Sequence, residues 1–300
     1  MVPEPETASD SVSGGMIFVK TDSDFCGSGT VPGTSGIRFF CRSREIRFSR
    51  ARSERPDQSN FERHCHDFFE LLYILRGDGK YVIEGVEYPI RSGMLCLIPP
   101  FEYHYVCPKS TSPYERYVLH FDKGILPKTL LQLPQLSAPG GACFSADCIA
   151  DTPIPAAFSA MERVPELPTG EEQNTLLASS VAQILLLLSL LPPDPPDAMG
   201  GAVVPRMIRY LNAHLTDEVS LDLLAQEFFI SKYHLCRVFH EQTGVSVFTY
   251  FNTKRIALAQ KLLADGESAT VVAARLGFRD YSTFYRAYKK ITGESPVRKL

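Results

Sequence analysis

The chain has 300 residues, 44% of them hydrophobic, with 31 Lys/Arg against 34 Asp/Glu and a formal net charge of −3. That composition suits two globular domains with real cores and excludes a weakly hydrophobic, highly charged disordered chain. Its longest apolar run, residues 182–191, is too short for a bilayer-spanning helix, which needs about 20 residues.

The charge is uneven. Residues 203–300 carry 14 Lys/Arg and 9 Asp/Glu, while residues 1–202 carry 17 and 25. A basic carboxy-terminal module on an acidic body fits a nucleic-acid-binding domain joined to a domain with another task. The amino terminus has no basic region followed by an apolar one, so no secretory signal is read. The eight cysteines are scattered without a C-x-x-C pair, which fits small apolar residues kept reduced in a cytoplasm.

Taken in order, residues 1–36 are rich in Ser, Gly, Pro, Thr and acid and read as a disordered leader. A strand is expected within Ile37–Phe48. Arg42, Arg44, Arg47, Arg50, Arg52 and Arg55 form a basic stretch read as a solvated segment, with phosphate contact as the alternative. From Phe61 the pattern changes to short strands between Gly and Pro turns. They are Phe68–Arg76, a hairpin of Lys80–Glu84 and Val86–Ile90 about Gly85, Met94–Ile98 and Tyr114–Phe121. This predicts an antiparallel barrel or jelly roll within residues 37–152.

The histidines sharpen the prediction. His64, His66, Glu70 and Gly77 read H-x-H-x3-E-x6-G, and Gly93, Pro99 and His104 read G-x5-P-x4-H. This pair of motifs resembles the cupin barrel, with Phe101 where cupins often have glycine and Pro108 where they often have asparagine. In cupin enzymes the positions of His64, His66, Glu70 and His104 bind a metal, and strand alternation would put His64, His66, Phe68 and Glu70 on one face. Three imidazoles and a carboxylate suit Fe, Mn, Ni or Zn. Resemblance to sensor cupins favours the other use, a metal-free effector pocket formed by His64, His66, Phe68, Glu70 and His104, with no cofactor. Tyr73, Tyr81, Tyr103, Tyr105 and Arg76 are further candidates for ligand contact.

Residues 126–152 read as a connecting region. Helices are expected over Ile154–Glu166 and Glu171–Leu191, so that residues 153–191 form a helical segment. Its Leu-rich end must be buried on the barrel or against a second subunit, and the resemblance implies a homodimer. Pro192–Pro196 and Gly200-Gly201 mark a linker over residues 192–202.

Residues 203–300 hold one pattern twice. A short helix, Leu221–Phe228, a tight turn and a helix, Ser231–Thr243, are matched by Ala269–Leu276, a turn and Tyr281–Thr292. Ser231, Leu235, Arg237, Phe239 and Gly244 align with Asp280, Phe284, Arg286, Tyr288 and Gly293. Each unit is a helix-turn-helix whose second helix can enter the major groove. A helix over Val247–Asp265 would join them at a fixed separation. The segment resembles the DNA-binding domain of AraC/XylS-type transcription regulators. Leu224-Ala225, Ser231-Lys232-Tyr233, Arg237-Val238-Phe239, Thr243-Gly244, Gly277-Phe278, Phe284 and Gly293-Glu294-Ser295-Pro296 carry the likeness.

The expected fold class is therefore α+β multidomain: an antiparallel cupin/jelly-roll β-barrel with trailing helices, then an all-α domain of two helix-turn-helix units. With Leu235, Phe239, Phe284 and Tyr288 facing the core, DNA contact falls to Lys232, Tyr233, Cys236, Arg237 and His240 in the first unit. In the second it falls to Tyr281, Ser282, Thr283, Tyr285 and Arg286. Arg237 is the candidate for bidentate reading of a guanine edge. Lys254, Arg255, Lys289, Lys290, Arg298 and Lys299 would bind phosphate or solubilise the surface. The resemblance implies a cytoplasmic, non-enzymatic regulator, an activator by default. Its partners would be double-stranded promoter DNA, a small-molecule effector, plausibly a carbohydrate, and RNA polymerase, with no membrane. The alternative is a metal-dependent cupin enzyme with an appended DNA-binding domain.

Overall fold

The computed structural model describes residues 17–18, 35–42, 45–57, 61, 63–109, 112–137, 140–194 and 203–297. Most of the expected leader, residues 195–202 of the linker, and Arg298 and Lys299 lie outside the described residues.

The amino-terminal domain packs two sheets face to face. One has the order β1 (Ile17–Phe18), β4 (His64–Cys65), β9 (His104–Pro108), β6 (Gly79–Ile83), β7 (Val86–Ile90). The other runs β11 (Ala142–Phe144), β8 (Leu95–Ile98), β5 (Phe69–Arg76), β10 (Tyr114–Phe121), β3 (Ile46–Ser53), β2 (Ser35–Arg42). β1 lies parallel to β4, and the other described pairs are antiparallel. The hairpin β6–β7 turns through Glu84 at φ 53° and Gly85 at φ 75°. Two positive φ values in a two-residue loop match the right-handed twist of the strands it joins.

In the six-stranded sheet, β5 and β8 are buried on both faces, which explains why they read as nearly continuous apolar runs. Along β5, Phe69 and Leu71 join the core shared with the helices, while Leu72 and Ile74 join the core between the sheets. The helices are α1 (Pro134–Ser137), α2 (Ala146–Ala150), α3 (Ile154–Met161) and α4 (Gly170–Leu188). Thr169 and Glu172 close a capping box at the start of α4. Its Leu177, Val181, Ile184, Leu185 and Leu188 pack onto the chain's own barrel. Of the two burial options for this helix, the barrel takes the main apolar stripe, leaving Leu186 and Leu190 exposed.

Three expectations need correction here. The strand sought in Ile37–Phe48 is two strands, β2 and β3. The arginine stretch is a solvated segment only in part: Arg44 lies outside the described residues and Arg52 and Arg55 are exposed, but on β3 Arg47 is buried and Arg50 pairs with Glu115 at 2.8 Å and Glu162 at 2.9 Å. The connecting region 126–152 contributes an edge strand, β11, because Ala142 and Phe144 face the helix-side core and Cys143 the other.

The carboxy-terminal domain consists of α5 (Val203–Ala213), α6 (Leu221–Glu227), α7 (Lys232–Thr243), α8 (Val247–Ala264), α9 (Ala269–Arg275) and α10 (Tyr281–Thr292). Ser220, Ser231, Ser246, Ser268 and Asp280 each accept the N–H three residues on, so α6 to α10 all start on a side-chain cap. Gly244 and Gly293 close α7 and α10 at φ 78°, the left-handed conformation expected from the repeat. α8 feeds both halves: Val247, Tyr250 and Phe251 pack with α5–α7, and Ile256, Ala259 and Leu262 with α9 and α10.

Lys254 and Arg255 are buried and serve neither phosphate nor solubility. Arg255 instead donates to the carbonyls of Leu215 at 2.9 Å and Asp217 at 2.6 Å. The domains also share a seam, since Cys65 and Tyr103 of the barrel are buried in the same apolar cluster as α5, α7 and α8.

Candidate effector site and nucleic-acid interface

His64, His66, Glu70 and His104 converge, each offering a ligand atom within 4.8 Å of the others. The reason differs from the alternation expected along one strand. His64 belongs to β4 in the five-stranded sheet, whereas Glu70 belongs to β5 in the six-stranded sheet. The chain crosses between sheets at residues 66–68, so His66 and Glu70 meet across the barrel interior. His104 enters from β9, directly opposite His64. Phe101 stands at the preceding turn with φ 63°, a left-handed conformation that suits the glycine often found there. Phe68 stacks flat on His66, with ring centroids 3.9 Å apart.

The motif reading missed His120. It lies on β10 opposite Glu70, with Nε2 at 2.9 Å from Glu70 Oε2. The strand Tyr114–Phe121 was legible, and its period of two sets His120 against the apolar face of Tyr117, Leu119 and Phe121. Only the strand register shows what it faces.

Glu70 sits at the centre, with Oε2 at 3.0 Å from His66 Nε2 and 3.6 Å from His104 Nε2. Burial pushes its carboxyl up, but the surrounding imidazoles of His104, His120 and His66 outweigh this and hold it well below the usual carboxylate range. Burial is also the largest influence on His66 and pushes it down to about 4, against the pull of Glu70. The neutral ring then has one N–H but faces two acceptors, the Phe68 carbonyl at Nδ1 (3.0 Å) and Glu70 at Nε2. His104 directs Nδ1 to the Glu102 carbonyl at 2.8 Å, and its buried Nε2 has no hydrogen-bond partner. A divalent transition metal of the kind cupin barrels hold fits this donor set, with His64, His66, Glu70 and His104 as ligands. Bound there, it would occupy the His104 Nε2 that has no hydrogen-bond partner.

The other expected contacts divide. Tyr81 is buried with its ring 6.2 Å from that of His104. Tyr73 stacks on Phe158 in the outer core, Arg63 lies over Tyr105, and Arg76 is exposed. Tyr103 points to α8, where its hydroxyl donates to Thr253 at 3.0 Å. A cleft of about 220 Å³ lies elsewhere, lined by Tyr88, Pro89, Arg91, Met94, Ser145, Ala146 and Asp194, and touches none of the cluster.

On α7, Leu235 and Phe239 are buried, leaving Lys232, Tyr233, Cys236, Arg237 and His240 exposed together. Lys232 pairs with Asp222 at 2.7 Å, and Arg237 lies between Glu241 at 3.1 Å and His234 at 3.2 Å. On α10, Phe284 and Tyr288 are buried, Tyr281, Ser282 and Arg286 are exposed, and Thr283 and Tyr285 are half-buried. The Thr283 hydroxyl donates to the capping Asp280 at 3.0 Å. Phe229, in the turn of the first unit, was not foreseen: it is 93% exposed at φ 55°, and a phenylalanine in a turn carries no sequence signal for such exposure.

Two family models match this architecture, an AraC-like ligand binding domain over residues 49–188 and a helix-turn-helix domain over residues 224–299. The chain belongs to the AraC-type transcription regulators. This family is not enzymatic, which sets aside the metal-dependent cupin enzyme. The HTH-type transcriptional activator RhaS of Escherichia coli O81 (strain ED1a) is 28% identical over 257 residues, covering 81% of this AraC-type chain and 88% of RhaS. ToxT from Vibrio cholerae is a structural neighbour at 14% identity and TM-score 0.35, covering 84% of this chain and 96% of that one. The DNA-binding domain of AdpA, solved with a target DNA, is 27% identical at TM-score 0.29, covering 30% and 83%. Among the described residues, no helix is long and apolar enough to cross a membrane.

Proposed function

We propose that this AraC-type regulator is an activator whose DNA binding is set by a small ligand at the His64–His66–Phe68–Glu70–His104 cluster. The observation that carries the reading is the buried His104 Nε2, left without a hydrogen-bond partner and aimed at Glu70 inside the ligand-binding domain. A buried polar atom without a partner is costly unless something visits it. Beyond the cluster the interior is filled by Leu72, Ile74, Tyr81, Met94 and Tyr114. The ligand therefore makes its polar contacts at the histidine end, through hydroxyls if it is a carbohydrate. A second reading, favoured by the four ligand atoms of His64, His66, Glu70 and His104 lying within 4.8 Å of one another, is that the ligand is or includes a divalent transition metal.

Lys232, Tyr233, Cys236, Arg237 and His240 then read one stretch of promoter DNA, and Tyr281, Ser282, Thr283, Tyr285 and Arg286 the next. Similarity to RhaS, a transcriptional activator by name, supports activation and with it contact with RNA polymerase in a cytoplasm. A homodimer would use Leu186 of α4 and Leu190 just beyond it, both exposed. The test is thermal unfolding of the purified full chain against sugars, sugar acids and divalent metals. A small molecule or cation that raises the melting temperature, with the rise lost in His104→Ala, supports the reading. A ligand whose effect survives His104→Ala refutes this site.

A further inference from the structure

The strands that carry the histidine cluster face two ways. Alternation turns His64, His66 and His104 into the barrel, and Cys65 and Tyr103 out of it. Those two outward side chains lie in the apolar cluster of α5, α7 and α8. Around them runs a buried polar clamp. Lys254 of α8 reaches Glu84 and Glu102 of the barrel, each at 2.9 Å. Tyr250 of α8 donates to Glu84 and faces Asn212 Oδ1 of α5 at 3.1 Å. The backbone N–H of Tyr103 donates to Glu84 at 2.7 Å. The Glu84–Gly85 turn presses on α5 so closely that a Cβ at Gly85 would stand 3.3 Å from Ile208.

Glu102 joins the two sites in one residue. Its carbonyl holds the ring of His104, and its carboxylate holds Lys254. The strands in question are weakly tied to each other, β4 and β9 being paired at His64 and His104. A ligand spanning those histidines would add the missing cross-tie. The docked arrangement does not mask the DNA face, since Lys232, Tyr233, Arg237, Tyr281 and Arg286 stay exposed. Docking therefore sets where the recognition helices point and leaves them open. Two acidic side chains and one lysine buried together are tolerable only when all are in place.

We propose that the Glu84–Glu102–Lys254–Tyr250 clamp is the device by which a ligand at the histidine cluster acts on the DNA-binding domain, with ligand binding seating the clamp. The proposal rests on reading the cluster as the ligand site. Hydrogen exchange by mass spectrometry on the full chain, with Zn²⁺ as the probe, separates the two. In the wild type, Zn²⁺ slows exchange around His64–His66 and also in α5 and α8, by at least about fivefold. In Lys254→Met, α5 and α8 exchange fast with or without Zn²⁺, while the segment around His64–His66 still responds. Tyr103→Phe, which removes only the hydroxyl bonded to Thr253, gives an intermediate response in a chain that still folds.

Slowing confined to the His64–His66 segment would overturn the coupling while sparing the site. If Zn²⁺ moves neither region, the cation reading of the site fails and Glu70→Gln decides the coupling. That substitution disturbs the cluster without a ligand and should change exchange in α8 of the wild type but not of Lys254→Met. No change in α8 in either background overturns the proposal.

Discussion

Arg237 lies exposed between Glu241 and His234, and reading a base edge, as proposed, would exchange those partners. Arg237→Ala should weaken binding to the specific site by about 1–3 kcal/mol and relax preference at one position. Titration of the variant against the cognate duplex and single-base variants checks this, and unchanged affinity removes Arg237 from the readout. In the barrel, Glu70 is the one acid among the cluster histidines. Glu70→Gln should remove any rise in melting temperature caused by Zn²⁺, because the neutral amide cannot balance the cation. A Zn²⁺ shift that persists would move the binding elsewhere. Four of the cluster residues were legible from spacing, because the two motifs fix which strands bring them in. His120 was not, since its partner is set by strand register 50 residues away. Lys254 was misread for a related reason: a lysine on a helix reads as solvated until Glu84 and Glu102 are placed over it.

At the scale of elements, the repeat was read almost to the residue, because Ser and Asp caps and the two Thr-Gly ends are local signals that tertiary packing need not supply. The barrel strands were legible where Gly and Pro bounded them. Residues 126–152 and the arginine stretch were misjudged, since an edge strand and a charged strand owe their form to neighbours distant in sequence. Gly277 joins the local and tertiary kinds of signal. It takes φ +67°, and a Cβ there would stand 2.9 Å from the Arg255 guanidinium that anchors the Leu215 and Asp217 carbonyls. Gly277→Ala should therefore cost about 1–3 kcal/mol, read as a lower denaturant midpoint with unchanged slope. A neutral result would mean that Arg255 yields freely.

For the whole molecule, α8 belongs to the cores of both helix-turn-helix units and, through Lys254, to the seam with the barrel. The two recognition helices accordingly travel as one body. On the proposed reading, in which both recognition helices enter the major groove, the DNA must present its two contact segments at a single separation, about 34 Å, or one helical turn. Five base pairs inserted between the segments turn the second to the far side of the duplex, and affinity should fall to that of a half-site in a mobility-shift titration. Ten restore the face but double the gap, and a rigid reader gains nothing from them. A regulator with a pliant joint would tolerate the longer insertion. On that reading, operator architecture is written into a helix outside both recognition helices: the phasing of the promoter sites drifts only if the α8 packing drifts with it.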